Sequence, residues 1–268
     1  MKDERFEMRR AGIVTNPEVG EVYTRRLAAA LGKRGVEVVE TEESAREASA
    51  NGSLDLVFVL GGDGTMLRAS KMYPGRVILG VNLGTVGFMS GMRPEELELG
   101  VEKVLDGGLH VQEYRMLDVQ VAGGEPQRAV NDAVLVKRRP HQITSVEVTV
   151  GDEKLVSYQC DGLVAATPLG STAYALSAGG PIISGDVGCY VLVPIAPHSL
   201  VSRPMVLGEH QAAELRLTDR GALLSLDGEE PQEVPAGGRI TVGLSEEKVR
   251  IGRTDEWSWW RAVRRTFL

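Results

Sequence analysis

The sequence predicts an α/β half, then a half built mostly of β-strands, and a helix at the chain end that returns to the first half. Early apolar residues form short continuous runs, such as Leu54–Leu60 and Val77–Val81, which are typical of strands buried on both faces of a parallel sheet. Later apolar residues alternate with polar ones, as in Leu117–Val121 and Val146–Val150. Such alternation predicts antiparallel strands with one buried face. We therefore expect two domains.

The pattern changes near residue 110, which sets the predicted domain boundary. We expect residues 1–110 to form the parallel α/β domain and residues 111–252 to form a sandwich-like β domain. The tail, residues 253–268, is predicted to be a helix that packs on the first domain, with arginines near its C-terminal end. Its apolar residues recur at helical spacing: Trp257, Trp260, Val263 and Phe267. The alternative for this aromatic and basic stripe is a contact with a membrane or a nucleic acid.

Each predicted element follows from the spacing of its apolar residues. The strands of the first half are Ile13–Val14, Val36–Val39, Leu54–Leu60 and Val77–Val81. Helical spacing occurs at Val19, Val22, Leu27, Ala30 and Leu31, and again, after Pro94, at Leu97, Val101, Val104 and Leu105. This order is typical of a βαβαβ arrangement. Further alternating strands are predicted around Leu215–Leu217 and Ile240–Leu244.

The composition excludes several functional classes. The 268 residues are 43% hydrophobic, enough for a sizeable core, and no apolar run approaches the length of a membrane-spanning helix. The net charge of −7 argues against a nucleic-acid-binding surface. Two cysteines, Cys160 and Cys189, provide neither a disulfide framework nor a cysteine-built zinc site. With no apolar signal segment at the N-terminus, we expect a cytoplasmic protein that binds no membrane.

A glycine-rich turn follows the run Leu54–Leu60 and precedes a short predicted helix, Met66–Lys71. Such a strand-to-helix turn exposes backbone N–H groups to a phosphate, and Arg68 could add positive charge. Asp63 would repel a phosphate placed on it, so we expect it to face a hydroxyl or a metal ion. The alternative is a plain turn in which Asp63 caps the helix. The turn consists of Gly61, Gly62, Asp63, Gly64 and Thr65.

Two further segments carry polar groups next to buried strands. A second glycine loop, residues 80–89, would form another wall of the same crevice. Asn131 and Asp132 lie in the apolar run Val130–Val136, where an amide and a carboxylate could hold the two hydroxyls of a ribose. An edge-strand turn is the alternative for this pair.

The segment from Asp161 to Ile182 is the richest in hydroxyl groups. Small residues separate Ser171, Thr172, Tyr174 and Ser177, so a flat base could approach while hydroxyls bind its edges. We interpret this segment as a nucleoside pocket. The four histidines show no metal-ligand spacing, and the sequence assigns no metal ligand, although His141 and His198 lie near candidate segments.

In order, these motifs resemble those of NAD kinases. The match comprises GGDGT, the Asn-Asp pair, DGL with PLGSTAYALSAGGPI, the stretch Pro194–Val206 and the turn Leu226–Glu229. The GGDGT motif also occurs in lipid kinases, whereas the block around GSTAY is specific to NAD kinases. The resemblance extends over about residues 11–267.

The resemblance implies a Rossmann-like first domain, a β-rich second domain and a phosphoryl-transfer reaction. The γ-phosphoryl of ATP, or of polyphosphate, would pass to the 2′-hydroxyl of the adenosine ribose of NAD, with Mg²⁺ accompanying ATP and Asp63 accepting the proton. It also implies a homodimer or homotetramer, which would cover exposed strand edges. The predicted NAD contacts are Asp63, Gly64, Asn131, Asp132, His141, Gln159, Asp161, Thr172, Ala173, Tyr174, Ala175, Leu176, Ser177 and Glu229.

Three positions depart from the family pattern. Asp132 stands where the family most often has Glu, and Glu229 where many members have Gln. Gln159 falls near a position whose residue type varies with the preference for NAD or NADH, so that preference stays open. Two alternatives also stay open: a lipid kinase that shares GGDGT, and a non-catalytic dinucleotide-binding protein.

Overall fold

A computed structural model of the protein describes residues 8–15, 21–39, 42–84, 87–198, 202–254 and 258–267. The predicted positions Val19, Thr85, Val86, Ser199–Val201 and Trp257 lie outside these residues. The chain divides into two compact units: Met1–Glu113 together with Val249–Leu268, and Tyr114–Lys248.

Strands and helices are numbered here in chain order. The strands are β1 (Arg10–Thr15), β2 (Glu37–Val39), β3 (Leu56–Gly61), β4 (Val77–Asn82), β5 (Ser90–Met92), β6 (Leu109–Val121), β7 (Gln127–Ala129), β8 (Asp132–Lys137), β9 (Thr144–Val150), β10 (Glu153–Cys160), β11 (Gly162–Ala166), β12 (Cys189–Ile195), β13 (Met205–Gly208), β14 (Ala213–Leu217), β15 (Ala222–Leu226), β16 (Gln232–Val234) and β17 (Arg239–Thr254). The helices are α1 (Glu21–Lys33), α2 (Glu42–Ala50), α3 (Asp63–Met72), α4 (Leu97–Leu105), α5 (Tyr174–Ser177) and α6 (Trp259–Phe267).

The first unit contains a parallel sheet, as the continuous apolar runs predicted. Its strands lie in the order β2-β1-β3-β4, and β4 also pairs in parallel with β5 and with Arg250–Ile251 of β17. Every residue of β3 is buried. Phe58 and Leu60 pack in one apolar cluster with Leu27 of α1 and Val101 of α4. A strand covered on both faces must be apolar at consecutive positions, which explains the continuous run.

Two helices of the first unit differ from the prediction. Helix α3 begins at Asp63 rather than Met66, because Gly62 is extended and the glycine turn enters the helix at once. The sequence does not predict helix α2, because its buried residues are small, namely Ala45, Ala48 and Ser49. They contribute little to an apolar pattern.

The second unit contains two antiparallel sheets, in agreement with the predicted sandwich-like domain. One has the order β13-β12-β11-β8-β15-β16, and β10, β9, β14 and the first part of β17 form neighbouring pairs in the other. Leu135 and Leu163 from the first sheet share one buried core with Val148 and Leu215 from the second. On the outer face of the six-stranded sheet, Ala175 of α5 packs with Val164, Val191 and Val193 of β11 and β12.

The antiparallel register of the six-stranded sheet places Asp132 and Gly162 at opposite ends of the sheet. At one end, Asp132 pairs with Ala166, and Ala133 pairs with Leu226. At the other end, Gly162 pairs with both Val136 and Ile195. Because a strand rises about 3.3 Å per residue, the six residues of β8 hold these ends well apart.

Helix α6 belongs to the first unit, but its buried face differs from the predicted one. Trp259 and Val263 are buried, whereas Trp260 is 65% exposed and Phe267 is 37% exposed. The spacing of Trp259, Ala262 and Val263 places these three side chains on one helical face. No helix in the described ranges is long and apolar enough to cross a membrane.

Candidate active site

Asp63 lies at the carboxyl end of the parallel sheet, directly after β3. Gly61 ends the strand, Gly62 occupies the N-cap position in an extended conformation, and Asp63 is the first residue of α3. A Cβ atom on Gly61 would lie only 2.4 Å from Oγ1 of Thr65, so this position accepts only glycine without a rearrangement. In open α/β sheets, ligands bind at this edge.

The Asp63 carboxylate is held by backbone N–H groups of the second glycine loop. The N–H of Phe88 donates to Oδ2 at 3.0 Å, and that of Met89 donates to Oδ1 at 3.1 Å. Gly87 allows this approach, because a Cβ atom there would lie 2.3 Å from Oδ1. Asp63 therefore does not act as the N-cap of α3, and each carboxylate oxygen has a second lone pair that can accept a substrate hydroxyl.

The predicted phosphate-donor turn surrounds the N-terminus of α3. The N-cap residue Gly62 has no side chain to bond the first N–H groups of the helix, and Gly64 is exposed. Thr65 is half-buried against Gly61. The guanidinium of Arg68 donates to the carbonyl oxygen of Thr15 at 3.0 Å, at the end of β1. An exposed helix N-terminus of this kind favours an anionic ligand.

The second glycine loop also borders a cleft in the first unit. Gly84 and Gly87 line this cleft, whose volume is about 710 Å³, together with Arg93, Arg261 and Arg265. Gly87 therefore contacts the Asp63 carboxylate and lines the cleft, although Asp63 itself is not among the lining residues.

In the second unit, Asp227 fixes the backbone of the Asn131–Asp132 pair. Its Oδ1 accepts the N–H groups of Asn131 at 2.7 Å and Asp132 at 3.1 Å, and its Oδ2 accepts that of Val130 at 2.9 Å. In return, the N–H of Asp227 donates to the carbonyl oxygen of Asp132 at 2.9 Å. The pair is therefore held by a carboxylate that lies about 95 residues further along the chain.

The side chains of Asn131 and Asp132 occupy unusual environments. The Asn131 Oδ1 atom is buried and accepts no hydrogen bond within the described part of the chain, which is uncommon for a buried amide oxygen. Asp132 is 6% exposed. Burial, and secondly the nearby charge of Asp227, raise the pKa of the Asp132 carboxyl to about 7.

The hydroxyl-rich segment packs against this pair through its backbone. A Cβ atom on Gly170 would lie 2.1 Å from the carbonyl oxygen of Asn131, so the two backbones are in close contact. The N–H of Thr167 donates to the same oxygen at 2.9 Å. Ser171 is fully buried and its hydroxyl accepts the N–H of Ile183 at 3.0 Å, so this hydroxyl stabilises the turn.

The six predicted NAD contacts from Thr172 to Ser177 differ in how far they are exposed to solvent. The Thr172 hydroxyl donates to the carbonyl oxygen of Leu169 at 3.1 Å. Ala175 is fully buried in the apolar cluster under α5, while Ala173 and Leu176 are half-buried. Tyr174 and Ser177 are exposed.

Other predicted residues lie at the opposite end of the six-stranded sheet. The Asp161 carboxylate forms an ion pair with Nζ of Lys137 at 2.6 Å. Gln159 is exposed on β10, and its carbonyl oxygen accepts the N–H of His198 at 2.8 Å. His141 is exposed beyond the end of β8. The structure does not bring these residues to the Asn131–Asp132 end, where exposed Glu229 lies next to the Asp227 turn.

Strained backbone at non-glycine positions of the described residues occurs at one predicted NAD contact and in two of the segments that resemble the family. The non-glycine residues with left-handed backbone are His141 (φ 60°), Ala196 (φ 43°) and Asp227 (φ 52°). Such conformations persist where the surrounding structure enforces them, often at functional sites. Of the three, Asp227 is the one whose side chain holds a candidate binding pair.

The sequence did not indicate which groups hold the Asp63 carboxylate or which group holds the Asn131–Asp132 pair. In the sequence, Asp227 belongs to a turn motif, and Asp before Gly is a known signal for left-handed backbone. No local signal identified the Phe88 and Met89 N–H groups, because backbone donors carry no residue type. Within the described ranges, no three His, Cys, Asp or Glu side chains lie close enough to share a metal ion.

Family models match both halves of the chain in order. Residues 8–109 match the ATP-NAD kinase N-terminal domain, and residues 130–254 match the ATP-NAD kinase C-terminal domain. The chain thus has the two domains of an ATP-NAD kinase. The parallel α/β unit contains the glycine-turn carboxylate, and the β unit that follows contains the hydroxyl-rich segment. The chain belongs to the NAD kinase family.

Individual relatives agree with this assignment. The NAD kinase of Syntrophotalea carbinolica is 36% identical over 263 residues, covering 95% of this chain and 92% of that protein. The crystal structure of an NAD kinase from Archaeoglobus fulgidus in complex with ATP has a TM-score of 0.80 and 27% identity, covering 96% of this chain and 97% of that one. The structure of yeast NADH kinase complexed with NADH shares the fold, with a TM-score of 0.86 and 24% identity, covering 97% and 87%.

Proposed function

We propose that this protein transfers the γ-phosphoryl group of ATP to the 2′-hydroxyl of the adenosine ribose of NAD, which gives NADP and ADP. The observation that carries the proposal is the Asp63 carboxylate, held by two N–H groups at the ligand-binding edge of the parallel sheet. Membership of the NAD kinase family supports the choice of substrates. The lipid-kinase alternative finds no support in these relatives.

In the proposed mechanism, Asp63 orients the attacking hydroxyl and receives its proton. The ribose oxygen forms a bond to Pγ while the bond from Pγ to the bridging oxygen of ADP breaks. A carboxylate is a much weaker base than an alkoxide, so the proton moves late, as the new P–O bond forms. The N–H groups of Phe88 and Met89 fix the carboxylate in one orientation, which supplies the in-line positioning that this reaction needs.

The donor phosphates are proposed to bind at the glycine turn. The N-terminus of α3, the glycines Gly61, Gly62 and Gly64, and the Thr65 hydroxyl would receive them, and Arg68 would add charge. Mg²⁺ bound to ATP would neutralise phosphate charge. We propose that the phosphate oxygens of ATP carry the ion.

The NAD-binding role is proposed for the second unit. We assign Asn131, whose Oδ1 atom accepts no hydrogen bond within the described residues, to a donor on the dinucleotide, and Asp132 to a ribose hydroxyl. Exposed Tyr174 and Ser177 would contact the base or its ribose, and the contact predicted for Gly64 rests on the family resemblance. The other predicted NAD contacts stay predictions that rest on the family resemblance, namely Thr172, Ala173, Ala175, Leu176, Asp161, Gln159, His141 and Glu229.

We further propose a cytoplasmic homodimer or homotetramer. Exposed apolar side chains on edge strands support an assembly, namely Val206 of β13 and Leu155 of β10, which are 55% and 45% exposed. Cys160 and Cys189 are free buried thiols, as is usual in a reducing compartment. Fractionation of cells that express the tagged protein would test the location.

The test of the activity is a matrix of purified protein with NAD or NADH against ATP or polyphosphate, with Mg²⁺, followed by measurement of NADP(H). We expect NADP in the arm with NAD and ATP, and its loss when EDTA is added. The other arms decide the coenzyme preference and the donor. Absence of NADP(H) in every arm, combined with phosphorylation of a sphingoid base or diacylglycerol, would overturn the proposal.

A further inference from the structure

Arg253, near the end of β17, is a buried cation in the first unit. It is 2% exposed. Its guanidinium donates to the carbonyl oxygen of Phe88 at 3.0 Å and, through its other terminal nitrogen, to that of Met89. A charge of this kind is costly to bury unless other groups compensate it.

The carbonyl groups that bind Arg253 belong to the segment that holds Asp63. The Phe88 carbonyl and the Met89 N–H are the two ends of one peptide group. Its oxygen accepts from Arg253, and its N–H donates to Asp63. The peptide dipole therefore points its positive end at the anion and its negative end at the cation, and each hydrogen bond polarises the other.

The rest of the C-terminal segment packs on the same loop. The Thr254 hydroxyl donates to the carbonyl oxygen of Gly91 at 3.1 Å. The Phe88 ring lies 5.4 Å from the Trp259 ring in an edge-on arrangement, and 5.3 Å from the Phe267 ring in a stacked one. The chain end thus contacts both the backbone and the side chain of the segment that bonds Asp63.

We propose that Arg253 is a positioning residue for the Asp63 carboxylate, acting through the Phe88–Met89 peptide group. This inference rests on the proposed function, in which Asp63 receives the proton of the ribose hydroxyl. Arginine suits the position because its planar fork can bond two carbonyl oxygens at once, whereas lysine is a single point of charge. Loss of one of these bonds frees the peptide group to rotate, and the carboxylate loses its fixed orientation.

The proposal predicts a defect in turnover rather than in substrate binding. Arg253→Lys should lower kcat by about 10- to 100-fold, as expected for misplacement of a reacting group, and leave the KM values for ATP and NAD within about twofold. In the Asp63→Asn background, where no carboxylate remains to be positioned, the same change should lower kcat by less than about threefold.

Arg76 provides a matched control. Its guanidinium also donates to two backbone carbonyl oxygens, those of Leu54 and Ser49, each at 3.0 Å, in the same unit. Arg76→Lys removes an equivalent interaction far from Asp63 in the hydrogen-bond network, so it should lower the melting temperature without changing kcat.

Phe267→Leu provides a second test that leaves the buried charge in place. Phe267 is 37% exposed, so this variant should fold even if Arg253→Lys does not, and it loosens the stack on Phe88. Phe267→Leu should lower kcat when Asp63 is present, but not in the Asp63→Asn background. Hydrogen exchange at the Met89 amide should be faster in both Arg253→Lys and Phe267→Leu than in the wild type.

Each outcome bears on the inference. Equal losses of kcat from Arg253→Lys with and without Asp63, or an effect confined to KM, would overturn it. If Arg253→Lys does not fold, Phe267→Leu is compared with and without Asp63 instead. Equal losses of kcat in the two backgrounds would then overturn the inference. If the wild type makes no NADP(H), the proposed function fails instead, and unchanged exchange of the Met89 amide would then overturn the positioning role by itself.

Discussion

In both units, the carboxylate of a candidate aspartate binds backbone N–H groups. Asp63 accepts two such groups and Asp227 accepts three. Hydrogen bonds to a carboxylate are stronger than neutral ones, so each aspartate fixes a loop and is in turn fixed by it. A change at either residue should therefore affect both position and chemistry.

We expect Asp63→Asn to lower turnover by about 10² to 10⁴-fold, the usual effect of losing a general base, while the dissociation constant for NAD stays close to the wild-type value. The amide keeps the shape of the side chain but cannot accept the proton, and it places a donor against one of the two N–H groups. Steady-state kinetics and NAD titration of the variant would measure this. Turnover near that of the wild type would rule out a catalytic role for Asp63.

Gly87→Ala should separate activity from stability. The new Cβ atom would lie 2.3 Å from Oδ1 of Asp63, and a flexible carboxylate can move away at little cost in stability. We expect a loss of kcat of at least about tenfold from this displacement, with a melting temperature within a few degrees of the wild type.

Gly32→Ala is the matched control for this substitution. A Cβ atom at Gly32, on the exposed side of α1, has no neighbour within 4 Å, and alanine favours the helix by up to about 1 kcal/mol. It should leave kcat unchanged. Equal activity of the two alanine variants would contradict the close approach at Gly87.

Asp132 should make stability depend on pH. Its pKa is raised from 3.8 to about 7 in the folded protein, so the folded state retains a proton that the unfolded state has lost between those values. The free energy of unfolding therefore falls as pH rises through this window, by up to about 1.4 kcal/mol per pH unit from this group. The melting temperature of Asp132→Asn relative to the wild type should rise from pH 4 to 7 and then level off. A difference that is constant from pH 4 to 8 would refute the shift.

At the scale of the elements, strand ends and the turns that join them determine where the candidate groups lie. The start of β8, the end of β11 and the end of β15 meet because the strands are antiparallel and in register. The turn after β15 then brings Asp227 back to the backbone at the start of β8. The position of Asn131 and Asp132 thus depends on an element distant in sequence.

Asp227→Asn should weaken NAD binding without changing the affinity for ATP. Asn tolerates the left-handed backbone at this position, but its amide can accept fewer N–H groups than the carboxylate, so Asn131 and Asp132 lose their fixed position. We expect the NAD dissociation constant to rise by at least about fivefold and stability to fall by about 1.5–3 kcal/mol. Calorimetric titration and thermal unfolding would measure the two effects.

Asp219→Asn is a control of the same kind in the same unit. Asp219 accepts the N–H groups of Ser145 at 3.2 Å and Arg220 at 2.8 Å in an exposed turn. This variant should bind NAD like the wild type. If the Asp219 and Asp227 variants bound NAD equally well, the role assigned to Asp227 would be wrong.

At the scale of the whole molecule, we expect the protein to assemble from identical subunits. Light scattering at micromolar concentration should give two or four times the subunit mass of 28.9 kDa, because exposed apolar side chains on edge strands favour pairing with a second copy. Val206→Lys, on the edge strand β13, should shift the mass towards the monomer if that edge is used. A fully active protein with a mass near 29 kDa would contradict the expectation.

The sequence by itself determined the fold class and the family. Continuous apolar runs predicted the parallel sheet because burial on both faces requires them, and alternation predicted the antiparallel strands because one face of each lies in the core. The GGDGT turn and the block around GSTAY were sufficient to identify the family, since they are contiguous and their order is fixed along the chain.

Tertiary structure alone decided which groups hold the candidate residues in place. Asp63 meets the N–H groups of Phe88 and Met89, Arg253 meets their carbonyl oxygens, and Asp227 meets the backbone of Asn131. These partners are separated by 25 to 165 residues, and half of each interaction is backbone, which every residue possesses. A sequence pattern records side chains and local spacing, so it cannot specify contacts that arise only when distant strands and loops pack together.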